Sequence, residues 1–254
     1  MSVSGPVEDF VEEAKRLVSE AEKRGIILRV MGAVAVRIHC ERYGHLLETM
    51  KRELSDIDFM SYSKFRNVLP DFFKEMGYTP RERIILLYGT KRHIYDDFKH
   101  KRFVDVFFDV LDMCHLIDFR GRLELDSPTI TLADIVLEKM QIVKINEKDI
   151  KDVIVLLREH DLGGGRDQVD IAYIADILSK DWGFYYTVTT NLKKVKAFLP
   201  KYEALTDEDR EDVAGKIDAM LDEIERHPKT LKWKMRARIG TKKKWYKEVE
   251  EVVR

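Results

Sequence analysis

The sequence predicts an α+β fold, with a mixed sheet and flanking helices in the N-terminal half and an all-α C-terminal region. Three observations predict it. Up to about residue 126, short apolar runs alternate with Gly and Pro punctuation, the texture of strands joined by tight turns. After Asp126-Ser127-Pro128 the strand-like runs stop and helical spacing takes over. Helix-start signals then recur, at Thr131–Asp134, at Asn146–Asp149 and at Thr206. The expected division is residues 1–127 as the sheet-bearing core and 128–254 as a helical domain with a basic C-terminal segment. A chain of 254 residues is long enough for two such domains.

In order along the chain, Ser4 to Lys23 reads as an amphipathic helix, with Phe10, Val11, Ala14, Val18 and Ala21 on one face. Ile26–Met31 is a short apolar strand. Gly32 follows it at once, and Ala33–Tyr43 reads as a helix. Leu54–Met60 is the next strand. A helix over Ser63–Gly77 is expected to be interrupted near Pro70. Arg83–Tyr88 reads as a strand, residues 91–98 as an extended segment, Arg102–Val110 as a clear strand and Arg122–Leu125 as a last short one. Helices are then expected over Thr131–Ile145, Asn146–His160, Asp170–Leu178, Thr189–Phe198 and from Thr206 to near His227. Leu162-Gly163-Gly164-Gly165 follows no strand, and reads as a helix–helix turn.

Composition excludes several function classes. Only Cys40 and Cys114 are present, so a disulfide framework or a cysteine-based zinc site is not expected. The histidines show no H-E-x-x-H spacing. No run of eighteen apolar residues suggests a membrane span. A net charge of −1 argues against a chain that binds polyanions over its whole surface. These readings predict a cytoplasmic protein in a reducing compartment.

The chemistry concentrates in three places. Asp56 and Asp58, two apart on a strand, point to one face, with Ile57 and Phe59 on the other. Paired carboxylates of this kind repel unless a cation sits between them, and hard oxygen ligands suit Mg²⁺ or Mn²⁺. Asp105 lies amid Phe103, Val104, Val106 and Phe107, where an unpaired carboxylate is costly. It needs a cation, a donor or an exit to a cleft. Gly32 ends a strand just where a helix begins, an arrangement that lets phosphate approach backbone N–H groups.

Taken in order, Met31-Gly32-Ala33, Ser55-Asp56-Ile57-Asp58-Phe59 and Val104-Asp105-Val106 resemble the nucleotidyltransferase superfamily with the DNA polymerase β-like fold. Thr131–Lys139 and Asn146–Asp152 further resemble the helical segment of AbiEii-type and other minimal nucleotidyltransferases, some of them toxin components of toxin–antitoxin pairs. The resemblance covers about residues 26–157. It implies a polymerase β-like core, a divalent cation held by Asp56, Asp58 and Asp105, and an NTP such as ATP placed by Gly32 and Ala33. It implies transfer of NMP to an acceptor hydroxyl on RNA (a tRNA end), on a protein or on a small molecule, and an antitoxin partner if the role is toxin-like. The chain departs from the pattern at Ala33, where the family has Gly or Ser, and at Ser55, where it has an apolar residue. An antibiotic-modifying nucleotidyltransferase and a catalytically silent relative that binds nucleotide or RNA are the alternatives.

Lys139 shares a helix face with Leu132, Ile135 and Val136. It reads either as a lysine whose stem lies along the core or as a cation for the NTP phosphates. Lys91, Arg92, His93, Lys99, His100, Lys101 and Arg102 cluster between the acidic strands, as a solvated hairpin or as the rim of a site. Residues 229–247 hold nine Lys or Arg and no acid, interleaved with Trp233, Trp245 and Tyr246. That stretch either pairs with the acidic helix before it or contacts nucleic acid.

Overall fold

The computed structural model describes residues 5–249. The helices are α1 (Phe10–Glu22), α2 (Gly32–His39), α3 (Gly44–Thr49), α4 (Leu69–Glu75), α5 (Glu82–Tyr88), α6 (Leu132–Met140), α7 (Glu147–Glu159), α8 (Ile171–Leu178), α9 (Trp182–Phe198), α10 (Asp207–Arg226) and α11 (Leu231–Ile239). The strands are β1 (Leu28–Met31), β2 (Ile57–Ser61), β3 (Thr79–Pro80), β4 (Arg92–Asp97), β5 (Arg102–Phe108), β6 (Val110–Asp112) and β7 (Leu116–Asp118). The architecture is α+β. The chain divides into two compact units, one comprising the residues up to His39 with Glu53–Leu111 and Ile117–Thr131, the other Cys40–Arg52, Asp112–Leu116 and the residues from Leu132 onward.

The first unit is built on a mixed five-stranded sheet of order β1-β2-β5-β4-β3. β2 and β5 run parallel, and the other pairs are antiparallel. Parallel neighbours need a long crossover, and here it carries α4, β3, α5 and β4. Ile57, Phe59, Val104 and Val106 are fully buried, as expected for central strands covered by helices. Phe73 of α4 stacks on Tyr95 of β4 with centroids 4.0 Å apart. Pro70 stands in the first turn of α4, where its missing N–H is harmless, so the expected Ser63–Gly77 helix becomes a 3₁₀ turn at Ser63–Phe65 and then α4. Arg29 is buried and donates to the carbonyls of Leu123 and Asp126 at 2.8 and 2.7 Å, which fastens the closing segment of the unit to β1. The Ser127–Pro128 peptide is cis.

Several expectations are corrected. The strand expected over Leu54–Met60 begins only at Ile57, so Asp56 lies ahead of β2 and only Asp58 of the pair stands on it. Arg83–Tyr88 is not a strand but helix α5, with Leu86 and Leu87 85% and 61% exposed. An apolar run this short has no period of its own to distinguish the two states. Arg122–Leu125 forms turns, with Arg122 N–H donating to the Phe119 carbonyl and Leu125 N–H to that of Arg122. The first helix starts at Phe10, capped by Asp9, while Ser4 lies outside the described residues.

The second unit is helical. Asn146, Asp170, Asp181, Thr206 and Thr230 each cap a helix with a side-chain oxygen, and Thr206 with Asp209 forms a complete capping box. Its core gathers Leu137, Val153, Leu157, Ile174, Phe184, Leu192, Ile217 and Met220. Residues 40–52 belong here because Glu159 of α7 accepts from the Tyr43 N–H at 2.7 Å and Arg52 pairs with Asp152. α9 begins at Trp182, earlier than the expected Thr189, because Asp181 caps it and Trp182 and Phe184 are buried. The basic segment adds a helix, α11. Among the described residues, no helix is long and apolar enough to cross a membrane.

Candidate active site

The site begins where β1 ends. Gly32 has φ +69° and opens α2. A Cβ at this position would lie 2.7 Å from the Asp58 carboxylate oxygen Oδ2, so both the backbone angle and the neighbour require glycine. The glycine after the strand therefore sits directly against the second carboxylate of the Asp56/Asp58 pair. Ala33 follows in the first turn of α2, where helix geometry leaves N–H groups without an intrahelical acceptor.

Asp58 is the second residue of β2 and half-buried. Its register partner on β1 is Met31 and on β5 it is Asp105. Partners across a parallel pair lie about 4.8 Å apart along the sheet, so two acids occupy neighbouring places on adjacent central strands. Asp56 precedes β2 and takes a 2.9 Å hydrogen bond from the Ser55 hydroxyl. Ser55, which departs from the apolar residue expected there, thus touches one of the carboxylates.

Asp105 is 2% exposed. A buried carboxylate needs compensation, and Arg92 of β4 supplies it. Arg92 Nε donates to Asp105 Oδ1 at 2.6 Å and Nη2 donates to Oδ2, a bidentate fork. Burial opposes the Arg92 charge, but the hydrogen bonds and charge of Asp105, with the charge of Asp58, outweigh it and hold the guanidinium above its ordinary pKa. Arg92 was singled out in the sequence only as one of a basic cluster. Its hairpin position was the signal, because β4 folds back on β5 and brings it to the acid.

The rest of that cluster has mostly internal partners. Arg102 donates to Asp97 and to the carbonyls of Val7 and Glu8. His100 bonds Asp97 at 2.8 Å, and His93 is buried against the Tyr95 hydroxyl. Lys91, Lys99 and Lys101 are exposed.

Lys139 lies in the second unit and is 6% exposed. Its ammonium is 3.1 Å from Asp149 Oδ1 and 2.8 Å from Asp152 Oδ2, while Arg52 grips Asp152 with two bonds of 2.9 Å. Burial opposes the lysine charge and the two aspartates overcome it, raising its pKa. For Asp152, burial is likewise overcome by Lys139 and Arg52, which lower its pKa. Asp149 occupies the N3 position of α7, but its carboxylate serves Lys139 rather than the helix cap, which Asn146 provides.

Asp56, Asp58 and Asp105 offer only carboxylate oxygens, a donor set that fits a hard divalent cation in type. Among the described residues, no three His, Cys, Asp or Glu side chains are gathered in a metal-holding arrangement. Asp105 carries the positive charge of Arg92 where such a cation would draw on it. Comparisons with protein-family models, with curated proteins and with solved structures returned no match to the chain.

Proposed function

We propose that this protein is a metal-dependent nucleotidyltransferase that moves NMP from an NTP to an acceptor hydroxyl. One observation carries the reading. A glycine forced by its φ and by its neighbour is pressed against Asp58, and Asp58 is in register with Asp105 on the adjacent parallel strand. A strand end, a helix start and neighbouring acids support a reading in which phosphate meets the start of α2 beside carboxylates.

In this reading Asp56 and Asp58 would hold Mg²⁺ or Mn²⁺, with Asp105, now engaged by Arg92, as the third candidate donor. A divalent cation bound there would supply Lewis-acid stabilisation of the triphosphate and acidify the attacking hydroxyl. The backbone at Gly32 and Ala33 receives the triphosphate, and its fixed geometry lowers the entropy lost in reaching an in-line arrangement. The acceptor oxygen bonds to the α-phosphorus, the bond to the β-bridging oxygen breaks, and pyrophosphate leaves. The hydroxyl proton passes to one of these carboxylates, of which Asp56 and Asp58 are half-exposed and Asp105 is buried. Arg92 keeps the site's negative charge balanced between turnovers. Lys139 is assigned no step, because its charge is held by Asp149 and Asp152.

The acceptor classes are RNA, a protein side chain or a small molecule, and an antitoxin partner belongs to the toxin-like version of the reading. The catalytically silent relative is favoured by the Arg92–Asp105 fork, which engages both oxygens of the third carboxylate. Pyrophosphate release from NTP with Mg²⁺ and total RNA or protein separates the two. The transferase reading predicts release that Asp58→Asn abolishes, and the silent reading predicts none.

A further inference from the structure

Within the second unit, a cavity of about 710 Å³ opens among the Asp112–Leu116 turn, the start of α9, α11 and residues 244–247. Cavities of this size accommodate ligands of one or a few rings with their substituents. Trp182, Trp233 and Trp245 all line it, and these are the only three tryptophans of the chain. The Trp245 indole is fixed by donating to Thr187 Oγ1 at 3.1 Å. Arg236 lies over the Trp182 ring at 4.8 Å and donates to the Gly240 carbonyl at 2.7 Å, which ties α11 to the loop that follows.

The charge of this region is only partly neutralised internally: Lys180 pairs with Asp176 and Lys244 with Glu248. Of the wall's two aspartates, Asp181 caps α9 and Asp112 pairs with Lys247. Several acids of α10 are engaged elsewhere, among them Asp209 on Arg158, Asp218 on Lys196 and Glu225 on the Tyr185 hydroxyl, and among the described residues no ion pair joins α10 to α11. Pairing between the acidic and basic helices, one of the two expectations for residues 229–247, is therefore not what holds α11. Lys229 instead donates to the carbonyls that end α10. Among the described residues, Lys232, Lys234, Arg238, Lys242 and Lys243 form no ion pair. Unpaired cations around indole walls match the requirements of a single strand, in which phosphates track the charge and bases meet aromatic faces.

We infer that this cleft and the cations beside it bind a single-stranded polynucleotide. The proposal concerns the second unit and does not depend on the carboxylate site. A lipid surface is the weaker occupant for this helix. The stripe Leu231, Met235 and Ile239 is exposed, but Met235 and Ile239 turn along the cavity wall rather than away from it.

The test is a titration of the full chain with a fluorescein-labelled single strand of about 20 nucleotides, read by anisotropy and by tryptophan emission. Binding should quench the emission, because every tryptophan is in the cleft. If about four phosphates are neutralised, log K should fall with log salt at a slope of about −3. Lys232→Glu/Arg238→Glu/Lys242→Glu should weaken binding at least ~10-fold, with Lys→Gln and Arg→Gln versions standing in if the charge reversal prevents folding. Asp58→Asn should bind as the wild type does, so loss of transfer and loss of binding are distinguishable. RNA and DNA strands are run side by side: equal binding assigns recognition to phosphates and base rings, and tighter RNA binding adds the 2′-hydroxyl. No binding at about 50 mM salt, binding unaffected by the triple variant, or binding to phosphatidylserine vesicles without binding to either strand would each overturn the proposal.

Discussion

At the scale of single residues, the candidate site turns on Gly32 and Arg92. Gly32→Ala places a Cβ 2.7 Å from Asp58 Oδ2 at a φ of +69°. The expected loss of stability is roughly 1–3 kcal/mol, read from the urea midpoint, with transfer lost beyond what that shift explains. Arg92→Gln removes the charge that occupies Asp105. In the transferase reading Mn²⁺ then binds more tightly, several-fold by calorimetry, and unchanged binding would separate Asp105 from the donor set. His115 offers a pH signature away from this site. Its Nε2 lies 2.8 Å from Thr187 Oγ1, whose own proton goes to the Gly183 carbonyl, so the imidazole donates from Nε2. Burial, partly countered by Asp181, lowers its pKa to about 4 from 6.5. An unfolded chain takes up the proton first as pH falls, so this histidine's contribution is present above pH 6.5 and is lost toward pH 4. The loss is on the order of 3 kcal/mol. His115→Gln should flatten thermal stability over that window.

The elements explain what sequence could and could not convey. Asp58 and Asp105 were legible as strand residues because alternation fixes faces and an acid among Phe103, Val104 and Val106 demands a partner, whereas Asp56, expected on the same strand as Asp58, precedes it. Which cation satisfies Asp105 was not legible, because it depends on the register of β4 against β5. The helical starts at Asn146 and Thr206 were legible from capping chemistry, which is local. α5 was misread because Ile84–Leu87 is a short apolar run, and its exposed face contradicts the burial that such a run suggests. Lys139 was placed correctly at the buried side of α6, but its partners Asp149 and Asp152 lie on α7 and Asp152's second partner Arg52 lies before β2, separations that no periodicity reports. Breaking that network should be severe. Asp152→Ala removes the carboxylate that Arg52 grips and the nearer of the two aspartates on Lys139, and roughly 3–5 kcal/mol of stability should be lost in urea unfolding. A variant within ~0.5 kcal/mol of the wild type would show that the network is not structural.

Across the whole molecule, the chain passes between its two units more than once. A single cut at 127/128 was the natural reading of the change in texture, yet residues 40–52 and 112–116 join the helical unit. Their attachment comes from long-range contacts, such as Tyr43 N–H to Glu159 and Arg52 to Asp152, that leave no trace in local pattern. A fragment of residues 128–254 lacks Arg52 and the Asp112–Leu116 turn, and should melt without cooperativity by calorimetry. A cooperative transition matching one from the full chain would show that these segments add nothing to the unit.

The central claim is nucleotidyl transfer at the carboxylates beside Gly32. The most direct measurement compares NTP labelled at the α-phosphorus with NTP labelled at the γ-phosphorus, each incubated with Mg²⁺ and the acceptor fraction. The account predicts that α-label, and not γ-label, becomes attached to acceptor, and that Asp58→Asn removes the signal while the protein remains folded. Attachment of γ-label, or α-label transfer undiminished in Asp58→Asn, would contradict it.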